Sequence, residues 1–262
     1  MRTFVQVVIA ALSFAFGLLS IVPPPPPLIG TPSANLESLL LTDTVQVPLS
    51  LIVPPALPRK EVALTFDACP HPGAAGVDQR ILEILADSSV AATFFISGQW
   101  AEQHPAVTRS IAENPLFEVG NHSFSHPHLS EKPERVIREE LVSTERSFDR
   151  LAIPHVKLFR PPFGETSDRV QRMADSLGFR TIMYDVASGD PDTSFSRERL
   201  TRSVLDSVKD GSVVVLHVNG RGWHTAEALP EIIGELRRRG FVFRTVGMMQ
   251  KGTGGGAPGT ER

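Results

Sequence analysis

The chain has 262 residues, of which 41% are hydrophobic and 21% charged, and its net charge at pH 7 is -3. That is enough apolar sequence for one sizeable α/β domain, and the slight acidic balance excludes the basic face that nucleic-acid binding calls for. Cys69 is the only cysteine, which excludes an intramolecular disulfide and a multi-cysteine zinc site.

Met1, Arg2 and Thr3 precede an uncharged apolar run over residues 4–22. A basic start followed by such a run reads as a signal peptide or signal anchor over residues 1–22. Its length is close to the roughly 20 residues that span a bilayer as a helix. Five prolines then occupy residues 23–27, and more follow through Pro58. Proline-rich sequence stays extended and builds no core, so residues 23–58 read as a linker. A folded domain is expected over 59–247 and a flexible tail over 248–262, which ends in KGTGGGAPGTER. The protein is therefore expected to be exported: periplasmic, envelope-anchored or secreted. Its only membrane contact would be the N-terminal segment.

Within the domain, strand and helix patterns alternate. VALTF (62–66) reads as a strand and VDQRILEILADSS (77–89) as a helix. AATFFIS (91–97) is a strand, residues 100–115 are mostly helix, and LFEVGN (116–121) is a strand. A long amphipathic helix covers 133–152, then KLFRPP (157–162) is a strand and 167–179 a helix closed by Gly178. RTIMYDVA (180–187) reads as one strand, followed by a helix over 196–211. SVVVLHV (212–218), a helix over 225–240 and FVFRTV (241–246) complete the pattern. About seven alternations imply a parallel sheet wrapped by helices, either a barrel or an open doubly wound sheet. Both architectures place function at the C-terminal ends of the strands.

Unusual polar residues stand at those ends. Asp67 follows the first strand, NHSFSH (121–126) the third, and RPPFG (160–164) the fourth. The fifth leads to Asp190, and the sixth ends at His217. His122 and His126 are four apart, a spacing suited on one helical turn to holding a divalent metal, although an exposed loop pair reads the same way. His128 is a further candidate ligand or simply loop. Arg160 precedes two prolines and a glycine, where a guanidinium could clamp a carboxylate and keep it ionised. His217 is either a general acid or base or a structural histidine, and Asp190 by default is a turn former.

In this order, TFDAC, NHSFSH, RPPFGE, the segment to Asp190 and VVLH resemble the polysaccharide deacetylases, carbohydrate esterase family four, whose unit is the NodB homology domain. The resemblance covers residues 60–247. It implies a distorted (β/α) barrel of about seven parallel strands. It also implies an enzyme that removes N- or O-acetyl groups from a polysaccharide or oligosaccharide, using a divalent metal, commonly zinc. By the same resemblance, Asp67 is the general base, His122 and His126 are metal ligands, and Arg160 positions Asp67. Asp190 supports Arg160 and tunes the histidine, and His217 is the general acid. The backbone N–H of Phe163, after Pro161, would help hold the oxyanion, where the family usually has tyrosine.

The sequence departs from the family pattern at three positions. Ala68 stands where the family has a metal-ligating aspartate, Ala187 replaces an acid, and Pro191 replaces a tryptophan. Cys69 or His71 could replace the lost ligand. Trp223, in a glycine-rich loop beside His224, is the aromatic residue best placed to touch ligand, while Tyr184 and Trp100 read as core. The expected partner is an acetylated glycan met by a monomer. The alternative is a carbohydrate-binding pseudoenzyme of the same fold.

Overall fold

The computed structural model describes residues 59–70 and 76–252. The expected signal segment, the whole linker, His71 and the end of the tail lie outside the described residues. Among the described residues no helix is long and apolar enough to cross a membrane.

Among the described residues, eight strands form one sheet. They are β1 (Lys60–Ala68), β2 (Ala92–Ile96), β3 (Phe117–Asn121), β4 (Leu158–Phe159), β5 (Arg180–Thr181), β6 (Val186–Ala187), β7 (Ser212–His217) and β8 (Phe241–Phe243). Their order is β5-β4-β3-β2-β1-β7-β6, with β8 paired to the start of β1. Every pairing is parallel. The sheet curls into a half-barrel, as the resemblance implies. The helices are α1 (Gln79–Asp87), α2 (Gly98–Gln103), α3 (Pro105–Glu113), α4 (Glu134–Arg150), α5 (Asp168–Ser176), α6 (Arg197–Ser207), α7 (Thr225–Arg238) and α8 (Val246–Gly252).

The period of two in β1 separates structure from chemistry. Val62, Leu64, Phe66 and Ala68 join the large apolar cluster under the helices. Ala63, Thr65 and Asp67 alternate with them on the inner face. In β7, Val214 and Leu216 face the same outer cluster, while Val213 packs in the interior and Val215 and His217 reach the cavity above it. Phe66 stacks on Phe94 with ring centroids 5.3 Å apart, and Phe94 meets Phe117 edge-on at 5.0 Å. Such pairs add about 0.5–1.5 kcal/mol to the burial itself. Ala63, Phe95, Leu158, Ile182 and Val246 plug the lower interior.

The structure corrects four expectations. The helix expected over 100–115 is two helices. His104 leaves helical geometry (φ -130°, ψ 53°), and Pro105 restarts the chain as the first residue of α3, where its missing N–H costs nothing. The strand expected over 157–162 pairs only at Leu158 and Phe159, because two prolines follow Arg160 and cannot donate to a ladder. The strand expected over 180–187 is two short strands at opposite edges of the sheet: β5 pairs with β4, and β6 with β7. Residues 182–185 cross between those edges. Ile182 N–H donates to the Phe159 carbonyl at one end, and Asp185 N–H to the Val213 carbonyl at the other. Finally, residues 248–252, expected as tail, continue α8. Thr245 accepts the Met248 N–H at its hydroxyl, and Val246 and Met249 pack against the interior cluster.

Candidate active site

The C-terminal ends of β1, β3, β4 and β7 open on a cavity of about 210 Å³, lined in part by Asp67, His122, His126, Phe163, His217 and Arg221. That is below the roughly 300–1,000 Å³ of sites that enclose a whole small molecule. It suits a substituent projecting from a larger molecule.

Asp67 and His217 are register partners on adjacent strands. Arg160 arrives from β4 and is fully buried. Its Nη1 donates to Asp67 Oδ1 at 2.9 Å and to Thr65 Oγ1 at 2.7 Å. Phe95 lies beneath the guanidinium, 4.2 Å from its carbon to the ring centroid. Burial alone would raise the Asp67 pKa. Arg160 above all, with His122 and His217, outweighs burial and holds the carboxyl below its ordinary value. Asp67 is thus ionised and oriented.

His217 is biased the other way. Burial would lower its pKa, but the Asp190 hydrogen bond and charge prevail and raise it. Asp190 Oδ1 accepts from His217 Nδ1 at 2.9 Å and from Ser188 Oγ at 2.9 Å. Its Oδ2 accepts from the His217 backbone N–H at 2.7 Å and from Thr225 Oγ1 at 2.8 Å. A carboxylate pushed down beside an imidazole pushed up is the pattern of a base and an acid sharing a site. The expectation that Asp190 also supports Arg160 is corrected. All the hydrogen bonds of its carboxylate go to Ser188, His217 and Thr225, and Arg160 Nε and Nη2 have no partner among the described residues.

His122 and His126 converge, with ring centroids 4.9 Å apart. They do not do so as one helical turn. Ser123 and His126 are left-handed (φ 61° and 62°). The loop is held instead by α4, where Glu140 accepts the Phe124 and Ser125 N–H groups and the Ser125 hydroxyl. The N-terminus of α2 also holds it, through Gly98 and Gln99 N–H bonds to the Ser123 and Phe124 carbonyls. His122 Nδ1 lies 2.8 Å from the Arg160 carbonyl, which can only accept, so Nδ1 carries the proton. The Nε2 lone pair then faces Asp67 Oδ2 at 3.6 Å. Burial lowers the pKa of both imidazoles, His126 to about 3, which keeps them neutral and able to ligate.

Among the described residues a metal would find two imidazoles here and no third ligand. Ala68 is fully buried in the outer apolar cluster. Cys69 is buried, and burial raises its thiol pKa, so it stays protonated. His128 stacks on Phe163 at 4.0 Å and bonds Glu165. Among the described residues no three His, Cys, Asp or Glu side chains could hold a metal ion. The donor set therefore falls short of the three protein ligands of a catalytic zinc site.

Phe163 is left-handed (φ 60°) and 44% exposed, its ring wedged between His126 and His128. Its N–H has no internal backbone acceptor among the described residues. Pro161 is buried beside it and does not line the cavity. Trp223 is also outside the cavity and 49% exposed. Its N–H anchors the Asp190 carbonyl at 2.8 Å, so the backbone rather than the indole serves the site. His224 is exposed in a left-handed conformation and stands apart. Trp100 is buried as expected. Tyr184 is not core: it lines the cavity, close against Gly164, where an added Cβ would meet its hydroxyl at 2.5 Å. Arg221 was also unread, although its place in NGRGWH just past His217 was a usable signal.

Comparison with known proteins gives a consistent result. A family model described as polysaccharide deacetylase matches residues 55–182. A peptidoglycan-N-acetylglucosamine deacetylase of Bacillus cereus is 34% identical, over 73% of this chain and 68% of that protein. A chitooligosaccharide deacetylase of Azorhizobium caulinodans is 27% identical, over 71% of this chain and 92% of the relative. Among solved structures, a pseudoenzyme of carbohydrate esterase family four from Bacillus anthracis superposes with a TM-score of 0.66 at 30% identity. The match covers 73% of this chain and 65% of the pseudoenzyme.

Proposed function

Given that the chain belongs to the polysaccharide deacetylase family, we propose that it hydrolyses N- or O-acetyl groups on an envelope or extracellular polysaccharide. The observation that carries this reading is the opposed pair in one cavity: Asp67, whose pKa Arg160 holds down, and His217, whose pKa Asp190 raises. Asp67 takes a proton from water as the water oxygen attacks the acetyl carbon. The negative charge moves to the former carbonyl oxygen, where the Phe163 N–H can donate. His217 then protonates the leaving nitrogen or oxygen as the bond to the acyl carbon breaks, and acetate departs. Arg160 fixes the carboxylate of Asp67 on its Oδ1 side and leaves Oδ2 for the water.

His122 and His126 are the side chains to which a divalent cation would attach. Metal analysis of the purified protein, and activity before and after chelation, test that role. The test of the reaction is acetate release from acetylated chitin-type and peptidoglycan fragments. Asp67→Asn and His217→Ala should each lower kcat/KM by about 10²–10⁴. Normal rates in both variants would overturn the mechanism.

A second reading has its own observation. Ala68 leaves the metal position one ligand short, and a structural relative is a pseudoenzyme. On that reading the chain binds glycan without turnover. Tight glycan binding with no acetate released at any metal concentration would favour it. Export and a monomeric state complete the proposal; sedimentation and cell fractionation test them.

A further inference from the structure

Arg221 lines the catalytic cavity but has no part in the steps above. It sits in the loop between β7 and α7. Gly222 lets that loop lie close under the site, since a Cβ there would come 2.4 Å from the His217 carbonyl oxygen and 3.1 Å from Asp190 Oδ2. Asn219 ties the loop to the end of β1: its side-chain amide donates to the Cys69 carbonyl at 2.6 Å, and its Oδ1 accepts the Arg221 N–H at 3.4 Å. The guanidinium is thereby held at the cavity. Its only side-chain hydrogen bond among the described residues is Nη1 to Cys69 Sγ at 3.5 Å, and a protonated thiol is a weak acceptor.

The charges of the site then sum simply. Asp67 is matched by Arg160, and Asp190 by His217. Arg221 is left as one positive charge with no carboxylate partner among the described residues. A guanidinium in that state is a fork of donors suited to two oxygens of a small anion.

We infer that Arg221 is an anion-binding residue of the catalytic cavity, and that its ligand is a small monocarboxylate, the acetate that deacetylation releases. The same contact serves the singly charged oxyanion that precedes it. The identity of the ligand rests on the deacetylase reading, whereas the cationic site does not.

The experiment is a titration of the chelator-treated, full-length protein with sodium acetate, followed by calorimetry and by saturation transfer from the acetate methyl group. The wild type should bind acetate without metal. Arg221→Gln should weaken binding about tenfold or more, the weight of a charge-assisted hydrogen bond. Arg221→Lys, which keeps the charge without the fork, should fall between them. Melting curves check that all three proteins are folded. Wild-type affinity in Arg221→Gln, or no acetate binding by the chelated wild type, would overturn the inference. Binding through Arg221 in a protein that deacetylates no glycan would support the inference and refute the proposed function. Deacetylation with acetate affinity unchanged in Arg221→Gln would do the reverse.

Discussion

Asp190 is buried, and four donors converge on its two oxygens. Its main effect is on His217, whose pKa it raises above 6.5. An acid that must be protonated to act loses activity as pH rises through its folded pKa. The alkaline limb of kcat/KM should therefore lie above pH 6.5. Asp190→Asn should move that limb down, since an opposite charge has been removed. An alkaline limb that stays in place would detach His217 from the rate. The same pair contributes stability that is complete below the unfolded histidine pKa and is lost as pH rises through the folded one. Ala68 carries a second residue-level prediction. Its methyl group is fully buried among apolar side chains. In Ala68→Asp an unpaired carboxylate there should destabilise the protein by about 3 kcal/mol without metal. If the two histidines can accept a third ligand, zinc should restore the melting temperature. A loss of stability that zinc does not reverse would show that position 68 does not face the metal side.

The loop after β3 shows how an element, rather than a residue, sets a site. Glu140 on α4 takes three donors from residues 124 and 125, while Asn121 Oδ1 accepts the Ser123 N–H and Ser123 Oγ the His126 N–H. Removing the α4 carboxylate in Glu140→Ala should free the His126 end of the loop. Activity should fall about tenfold, the low end of the cost of losing a ligand's supporting partner, with about 1–2 kcal/mol of stability. Steady-state kinetics beside a urea melt would separate the two losses. This support was not legible in the sequence, because Glu140 is one of several acids on the polar side of an amphipathic helix. The elements themselves were legible wherever periodicity ran long: β1, α4, β7 and α7 lie where the pattern placed them. The pattern failed at residues 180–187. Their continuous apolar and β-branched run hides a crossing between two sheet edges, which only the partners β4 and β7 decide. The rim residues Asp67, Arg160, Asp190 and His217 were readable because parallel topology sends strand ends to one side. Tyr184 was not, since the close approach of Gly164 brings it in, and Arg221 had only its place in the loop just past His217 as a signal.

Across the whole molecule, the curled sheet assigns its outer face to stability and its inner face to chemistry. Phe94 and Phe95 are adjacent on β2, both fully buried, and differ only in the face they occupy. Phe94 is sandwiched between Phe66 and Phe117 in the outer cluster. Phe95 pairs in register with Asp67, fills the interior, and underlies the Arg160 guanidinium. Replacing either with leucine removes similar apolar volume, so each should cost about 1–2 kcal/mol of stability. Their kinetic effects should diverge. Phe94→Leu leaves the inner face intact and should keep kcat/KM within about twofold, because packing defects relax locally. Phe95→Leu removes a cation–π contact worth about 0.5–2 kcal/mol from a guanidinium whose Nε and Nη2 already lack partners among the described residues. Arg160 then holds Asp67 less firmly, and kcat/KM should fall about tenfold while stability matches the Phe94 variant. Equal kinetic losses at equal stability would mean that the two faces of the sheet are not independent, and that the site depends on the fold as a whole rather than on the inner layer.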